Sequence, residues 1–482
     1  MINFRIIARI LGLVLIFEGL FMLLPWAVSA FYHENTASSF LFSAIITVVS
    51  GAMVFSPLRK EEKLYGNSEG YIIVTGIWVL LILFGMLPWL LSGTGGSFID
   101  VLFETVAGFT TTAASAFGDI EVLPRGILFW RSLTQWLGGL GIILISLSVL
   151  PVVKSINVQL SATEFSGQQG DKIHPRIIDA AKRLVTIYII LTFLEIVLLS
   201  FGGVGIFDAV CHSISTVSTG GFSTRNNGIN AFATPYIKVI LTIFMFLAAT
   251  NITLIYFSIK GKFRKIRQNN EFIFYVILIV SFAILAAFLL VRQNGFGVGK
   301  AIYEGAFEVV SLISTTGYYT NDHNLWSNAL LILLFTLMFT GGMSGSTSGG
   351  IKILRLLIIT KNNRQEMKRL IHPSAFIPVR IDRHVVPSNI IILLLVFIIL
   401  YFITVCVGAF VLAVMDFDII TSFSTSASML ANIGPGIGPF GPFENYSEMP
   451  DQGKVFLSFL MLLGRLELVS VLLLLTRGFY RR

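Results

Sequence analysis

Charge is scarce in this chain: only 12% of its 482 residues are Asp, Glu, Lys or Arg, against 55% hydrophobic residues and a mean hydropathy of +0.83. That balance excludes a soluble globular protein. Cysteine is almost absent. Cys211 and Cys406 both fall in apolar or pore-helix segments, which excludes a disulfide framework or a thiolate metal site and leaves them as packing residues. No phosphate-cradling glycine loop follows a strand, so the chain itself is not expected to bind nucleotide. No stretch is long enough for a separate soluble domain.

What is present is apolar length. A bilayer crossing needs about 20 mostly apolar residues, and ten such stretches occur, near residues 6–30, 39–57, 71–92, 126–150, 183–203, 235–258, 271–292, 327–360, 387–414 and 453–476. The first is too long for a signal-peptide core and contains Glu18, so it reads as a retained helix. The net charge of +8 does not point to nucleic acid, because the basic residues are sorted by side of the membrane. Every second connection is basic, with Arg59, Lys60 and Lys63, then Lys154, Lys172, Arg176, Lys182 and Arg183, then Lys260 to Arg267, then Lys361 to Arg383. The intervening connections carry mostly acids such as Asp100, Asp119, Asp208, Asp322, Asp416 and Glu444. Arg5 and Arg9 near one end and Arg477, Arg481 and Arg482 at the other assign both termini to the cytoplasm.

Four shorter apolar stretches lie between the long ones, each leading into a run of Ser, Thr, Gly or Asn on the outer side. They begin near Phe98, Ile206, Ile302 and Phe423 and lead to Thr110–Ala114, Ser218–Phe222, Ser314–Tyr318 and Ala431–Pro435. In three copies an acid precedes a central small residue by the same interval, since 113 − 100, 221 − 208 and 317 − 304 all give 13. The centres Ala113, Gly221, Gly317 and Gly434 recur roughly every hundred residues, as in tandem units. The fourth copy departs in the spacing of its acid, which leaves its start undefined. The pattern implies an all-α polytopic membrane protein with four tandem helix, pore loop, helix repeats around a pseudo-fourfold pore.

Non-helical backbone at membrane depth is tolerated only where protein or a water-filled cavity surrounds it. A cation stripped of water needs replacement oxygens, and backbone carbonyls supply them when the chain is held extended past a short helix whose carbonyl end faces the ion. The candidate filter is therefore Thr111, Thr112 and Ala113; Thr219, Gly220 and Gly221; Thr315, Thr316 and Gly317; and Asn432, Ile433 and Gly434. Glycine at the centres permits positive φ.

The eighth stretch is broken by Gly341, Gly342, Met343, Ser344, Gly345, Ser346, Thr347, Ser348, Gly349 and Gly350, more glycine than a stable helix accepts. Arg465, two residues before Glu467, stands in the last apolar stretch, where charge is expensive and marks function or an ion pair. Gly342–Gly345 also fits the Gly-x-Ser-Gly pattern of intramembrane serine proteases. That chemistry needs a histidine base on a neighbouring span, and of the six histidines only His212 lies in a membrane segment, near the outer face. A secondary transporter with inverted repeats would also break helices, but these repeats share one orientation.

These residues resemble the Trk/Ktr/HKT superfamily of K⁺ transporters, and within it the bacterial TrkH/TrkG type, over nearly the whole chain. The matching motifs are Gln135–Gly141, Asn432–Gly436, Gly341–Gly350 and Gly464–Glu467. The resemblance implies a N-terminal helix pair preceding the repeats, and units at residues 1–66, 67–160, 161–268, 269–370 and 371–482. It implies K⁺ as the ion bound at the filter and transported, an intramembrane gate loop at 341–350 with Arg465 beside it, and a bacterial cytoplasmic membrane location. It further implies a homodimer, surrounding membrane lipid, and a cytoplasmic nucleotide-binding RCK-type regulatory subunit similar to TrkA, for which 259–270 and 361–386 are plausible docking surfaces. One departure stands out: the family has glycine at all four centres, whereas this chain has Ala113. At a positive-φ site its methyl would cost about 1 kcal/mol, and measurable Na⁺ passage beside K⁺ is the expected consequence.

Overall fold

The computed structural model describes residues 3–55, 67–148, 173–232, 234–373, 377–382 and 384–468. The basic residues Arg59, Lys60, Lys63, Lys154, Lys172, Arg383, Arg477, Arg481 and Arg482, and part of the surface 361–386, lie outside them.

The chain opens with α1 (Phe4–Phe21) and α2 (Leu23–Phe31), which form one long span, and α3 (Thr36–Val54) returns beside it. Gly12 and Gly51 let these backbones approach closely: a Cβ built on Gly12 would sit 2.7 Å from the Gly51 carbonyl oxygen. Small residues at a crossing are the usual means of packing helices where lipid offers no hydrophobic drive. Glu34, in the turn between them, accepts the N–H groups of Arg125 and Gly126 at 2.6 and 3.0 Å, so a carboxylate caps the next repeat's helix and ties the pair to the body.

The four repeats follow in order. The first is α4 (Asn67–Gly85) with α5 (Leu87–Ser92), short α6 (Phe98–Phe109) and α7 (Arg125–Ser148). The second is α8 (Ile173–Phe201), short α9 (Ile206–Val217), α10 (Pro235–Ala248) and α11 (Ile252–Ile259), with α12 (Phe263–Gln268) as connector. In the third, α13 (Asn270–Asn294), α14 (Val298–Ile313) and α15 (Asn328–Leu337) precede the glycine-rich loop and α16 (Ile353–Ile371). A two-stranded antiparallel hairpin, β1 (Arg380–Ile381) with β2 (His384–Val385), leads to the fourth: α17 (Ser388–Val414), α18 (Ile419–Ala431) and α19 (Asp451–Arg465).

Among the described residues six helices are long and apolar enough to cross a membrane: Phe4–Phe31, Thr36–Val54, Glu69–Ser92, Asp179–Phe201, Asn270–Asn294 and Ser388–Val414. These carry lipid-facing residues such as Ile284, Phe410 and Val414, at 66 to 69% exposure, so their apolar surface is solvated by lipid tails. Cys406 is exposed on α17 and is not the packing residue expected, whereas Cys211 is buried.

Two expectations are corrected. The stretch 235–258 is not a straight span: α10 and α11 meet at 107°. The break is specified by Asn251, whose side chain accepts the Thr253 N–H at 2.8 Å and starts a new helix. The last helix ends at Arg465, with Glu467 and Leu468 in positive φ, and residues 469–476 of the expected span lie outside the described residues.

Candidate functional site

The four short helices end in the same way. The N–H two residues before each centre donates to the carbonyl three residues back, as Thr111 to Gly108 (3.0 Å), Thr219 to Thr216 (2.9 Å), Thr315 to Leu312 (3.0 Å) and Asn432 to Met429 (3.2 Å). The N–H one before the centre donates five residues back, as Thr112 to Ala107 (2.8 Å), Gly220 to Ser215 (2.8 Å), Thr316 to Ser311 (3.0 Å) and Ile433 to Ser428 (2.9 Å). This pair of bonds is the Schellman C-cap, and it requires a left-handed residue. Thr111, Thr219, Thr315 and Asn432 fill that position with φ of 54°, 55°, 58° and 59°. Threonine is β-branched and disfavoured there, so three such residues mark strain that the surroundings must hold.

The helix starts correct a second reading. Three of the short helices begin fifteen residues before their centres (113 − 98, 221 − 206, 434 − 419) and the third begins nineteen before (317 − 298). The fourth copy is therefore regular and the third is the longer one. The fourth seemed displaced because its acid, Asp418, has moved to the N-cap, where it accepts the Ile420 and Thr421 N–H groups at 3.1 and 3.2 Å.

Past the caps the loops converge in ring order. A Cβ built on Gly221 would collide with the Thr316 carbonyl, one on Gly317 with the Ile433 carbonyl, and one on Gly434 with the backbone of Ala113. All three glycines have positive φ, of 76°, 74° and 112°. Ala113 does not, which overturns the expected methyl penalty at a left-handed site. The first loop takes another conformation instead, with the Ala113 N–H donating to the Ile433 carbonyl at 3.1 Å and its methyl beside Gly221 and Gly317.

The acids thirteen residues before the centres anchor the short helices. Asp100 pairs with Lys454 of α19 at 2.6 Å, and Glu304 with Lys238 of α10 at 2.7 Å, so the helix after one loop grips the short helix of the next repeat. Asp208 pairs instead with Arg225, beyond its own loop, at 2.7 Å.

Directly against the caps lies the loop 341–350, mostly buried. The Gly349 N–H donates to Thr315 Oγ1 at 2.7 Å, and Thr347 Oγ1 reaches the Val217 carbonyl at 3.3 Å. Its edges are zippered to the α10–α11 break: Met343 N–H donates to the Ala249 carbonyl (2.9 Å), Ile252 N–H to the Gly345 carbonyl (3.4 Å), and Asn251 Nδ2 to the Ser344 carbonyl (2.7 Å). Glu271 of α13 accepts the Ser344 N–H at 2.6 Å, and Lys352 Nζ donates to the Ser348 carbonyl. Arg465 donates to the Thr347 carbonyl at 2.8 Å and to the Gly138 carbonyl at 3.3 Å. Arg465 is 3% exposed, and no described carboxylate pairs with it, because Glu467 binds Arg355 at 2.7 Å. The guanidinium is thus held by two carbonyls, one of them in the loop, and lies over the Trp78 ring at 5.9 Å.

Among the described residues Ser344, whose backbone bonds run to Glu271 and Asn251, has no histidine hydrogen-bonded to it, and the His212 ring bonds Ser223 and the Asp208 carbonyl instead, so the protease reading finds no dyad among them. The residues that sequence reasoning missed are Asn251, Glu271 and Lys352, which come from three elements and share no spacing. It named Thr111, Thr219, Thr315 and Asn432 as filter residues but placed the left-handed backbone at the centres and not at these positions.

A family model described as TrkH, cation transport protein, matches residues 36–478. The chain is similar to the Trk system potassium uptake protein TrkH of Halomonas elongata, at 35% identity over 100% of both chains. It is also similar to the protein of that name in Escherichia coli K12, at 32% identity over 99% of this chain and 100% of the relative. The crystal structure of the potassium transporter TrkH from Vibrio parahaemolyticus matches with a TM-score of 0.90, 32% identity and full coverage of both chains. The chain belongs to the TrkH family of cation transport proteins.

Proposed function

We propose that this chain is the ion-conducting membrane subunit of a potassium uptake system, passing K⁺, and Na⁺ to a lesser extent, through one pore. The observation that carries this reading is the set of four identically capped short helices converging on one ring of loops, with a polar loop pressed against the caps. Carbonyls of Thr111–Ala113, Thr219–Gly221, Thr315–Gly317 and Asn432–Gly434 replace the water around the ion, and the four helix C-termini present partial negative charge to it. The loop 341–350 with Arg465 is the gate: withdrawing it removes both the obstruction and the adjacent positive charge.

The four repeats with boundaries 67–160, 161–268, 269–370 and 371–482, after the pair 1–66, are the working units. Both termini face the cytoplasm, as the clustering of Arg264, Lys265 and Arg267 on α12 and Arg364, Lys368 and Arg369 on α16 supports. The relatives are named as Trk system proteins, which supports a chain that works as one part of an uptake system; a bacterial cytoplasmic membrane setting, a homodimer and a cytoplasmic nucleotide-binding regulatory subunit acting on the gate complete the proposal. The activity is transport and not catalysis. Flux of K⁺, Rb⁺, Na⁺ and Li⁺ through the purified protein in liposomes tests the reading: K⁺ and Rb⁺ should pass fastest, and equal passage of all four would remove the selective filter.

A further inference from the structure

The chain leaving each filter loop must be gripped on its far side as firmly as the cap grips its near side, or the carbonyls between would swing. The position nine residues before each centre is occupied by Glu104, His212, Glu308 and Thr425 (113 − 9, 221 − 9, 317 − 9, 434 − 9), and the two carboxylates supply that grip directly. Glu104 accepts the N–H of Ala116, three residues past the centre, at 2.9 Å, and the Ser115 hydroxyl at 3.1 Å. Glu308 accepts the N–H of Thr320, likewise three past its centre, at 3.0 Å, and shares the Thr320 hydroxyl with the nearer Glu304. Both carboxylates are 1% exposed and are balanced by one cationic or imidazole neighbour, Arg131 for Glu104 and His323 for Glu308.

At the same position the other two repeats carry neutral side chains, and charge reaches the second loop from elsewhere: Asp208 accepts the Thr224 hydroxyl at 2.7 Å and Arg131 donates to the Ser223 carbonyl at 3.2 Å. His212 Nδ1 lies 2.7 Å from the Asp208 carbonyl and therefore donates, which leaves Nε2 as acceptor for the Ser223 hydroxyl at 3.0 Å. Ser223 Oγ accepts the Arg225 N–H in turn at 3.0 Å, and Gln135 spans the Gly220 carbonyl and the Phe222 N–H. In the fourth loop Thr425 Oγ1 makes no described hydrogen bond, and its neighbour Ser424 accepts the Ile437 N–H at 3.0 Å while the Tyr446 hydroxyl donates to the Gly434 carbonyl at 2.8 Å. Since the loops stand in ring order, carboxylate and neutral side chains alternate at this position.

We propose that Glu104 and Glu308 are positioning residues that set ion selectivity, each holding the N–H three residues past its loop's centre, a bond that the described His212 and Thr425 side chains do not make. Hydrogen bonds to a carboxylate are shorter and roughly twice as strong as neutral ones, so the charged pair resists displacement by a mis-sized ion most. The proposal rests on the filter reading above.

The test measures K⁺ and Na⁺ flux ratios through full-length protein in liposomes for Glu308→Gln, Glu308→Asp, Glu104→Gln and His212→Gln, with Gly317→Ser as control. Glu308→Asp keeps the charge but shortens the reach. Both Glu308 variants and Glu104→Gln should lower the K⁺/Na⁺ ratio, by about tenfold at most for a grip of charged type, while His212→Gln changes it less than about twofold. An Asp variant with the parent ratio and altered total flux would show that the carboxylate acts through its field alone and would overturn the proposal. So would a His212→Gln effect as large as that of Glu308→Gln. If Gly317→Ser also left the ratio unchanged, the filter reading itself would fall. Where Glu104→Gln yields no folded protein by gel filtration, the Glu308 pair decides.

Discussion

The filter loops and the gate loop are built from the same residue types, Gly, Ser and Thr, and both are non-helical chain buried within the bundle. They are held by opposite means. Each filter loop is fixed first by bonds to its own short helix, no more than five residues away, and the pattern repeats four times. The proposed gate loop occurs once and is held by Lys352, just past its end, and by Asn251, Glu271, Thr315 and Arg465, drawn from distant parts of the chain. A local, fourfold arrangement cannot open without unfolding its caps. A single loop held by side chains from several elements can be released as soon as those elements shift, and in the proposed reading that difference separates a permanent filter from a gate.

The comparison breaks most sharply at the centres. Replacing Gly221, Gly317 or Gly434 by Ser forces a side chain into the carbonyl of the neighbouring loop at a left-handed φ, so K⁺ over Na⁺ selection should largely vanish, by about two orders of magnitude or more for a clash worth ~3 kcal/mol. Bi-ionic reversal potentials measure it, and three variants with the parent ratio would mean that these loops are not the filter. Next in size is removal of residues 343–349, which should raise K⁺ flux without any cytoplasmic partner, about tenfold or more if the loop is the main obstruction. A shortened protein that folds yet conducts no faster marks a passive kink. Smaller again is release of single tethers: Arg465→Ala and Lys352→Met each remove one donor to a loop carbonyl. A charged hydrogen bond is worth about 1.5–3 kcal/mol, so flux in the absence of a partner should rise with selectivity unchanged. A change in selectivity without a rise in flux would place these cations with the filter.

The same contrast explains what could be read from the sequence. Repetition made the filter legible: the acids Asp100, Asp208 and Glu304 share one spacing, and four polar runs follow four short apolar stretches. The loop 341–350 was legible by its glycines alone. Its tethers were not, because Asn251, Glu271 and Lys352 meet only through the fold. The 107° bend was hidden for the same reason, since the apolar run 235–258 is continuous in composition and only one Asn cap redirects it. Hydropathy reports whether a segment is apolar and is silent on where a side chain replaces a backbone bond.

The smallest expected effect lies at the one centre that is not glycine. Were Ala113 in the left-handed conformation of its counterparts, the methyl would cost about 1 kcal/mol. The chain avoids that cost by leaving Ala113 out of positive φ and spending its N–H on the Ile433 carbonyl. One quadrant is thereby turned, and a carbonyl of the fourth loop is engaged by protein at the same time. Ala113→Gly removes the obstacle to the left-handed form and should let the first loop match the other three. With about 1 kcal/mol at stake, the gain in K⁺ over Na⁺ is at most about fivefold, well below the loss expected at Gly317. The opposing argument is that the caps already fix the loop, since the Thr110 and Thr112 hydroxyls bond at 2.9 Å and Thr111 holds the turn, so that glycine would keep the alanine geometry. Reversal potentials for wild type and Ala113→Gly decide between them. An unchanged ratio would show that selectivity is set by the three glycine loops and the caps, with the first quadrant a fixed wall; a shift toward K⁺ would show that all four quadrants contribute and that this chain trades discrimination for a residue that glycine would outperform.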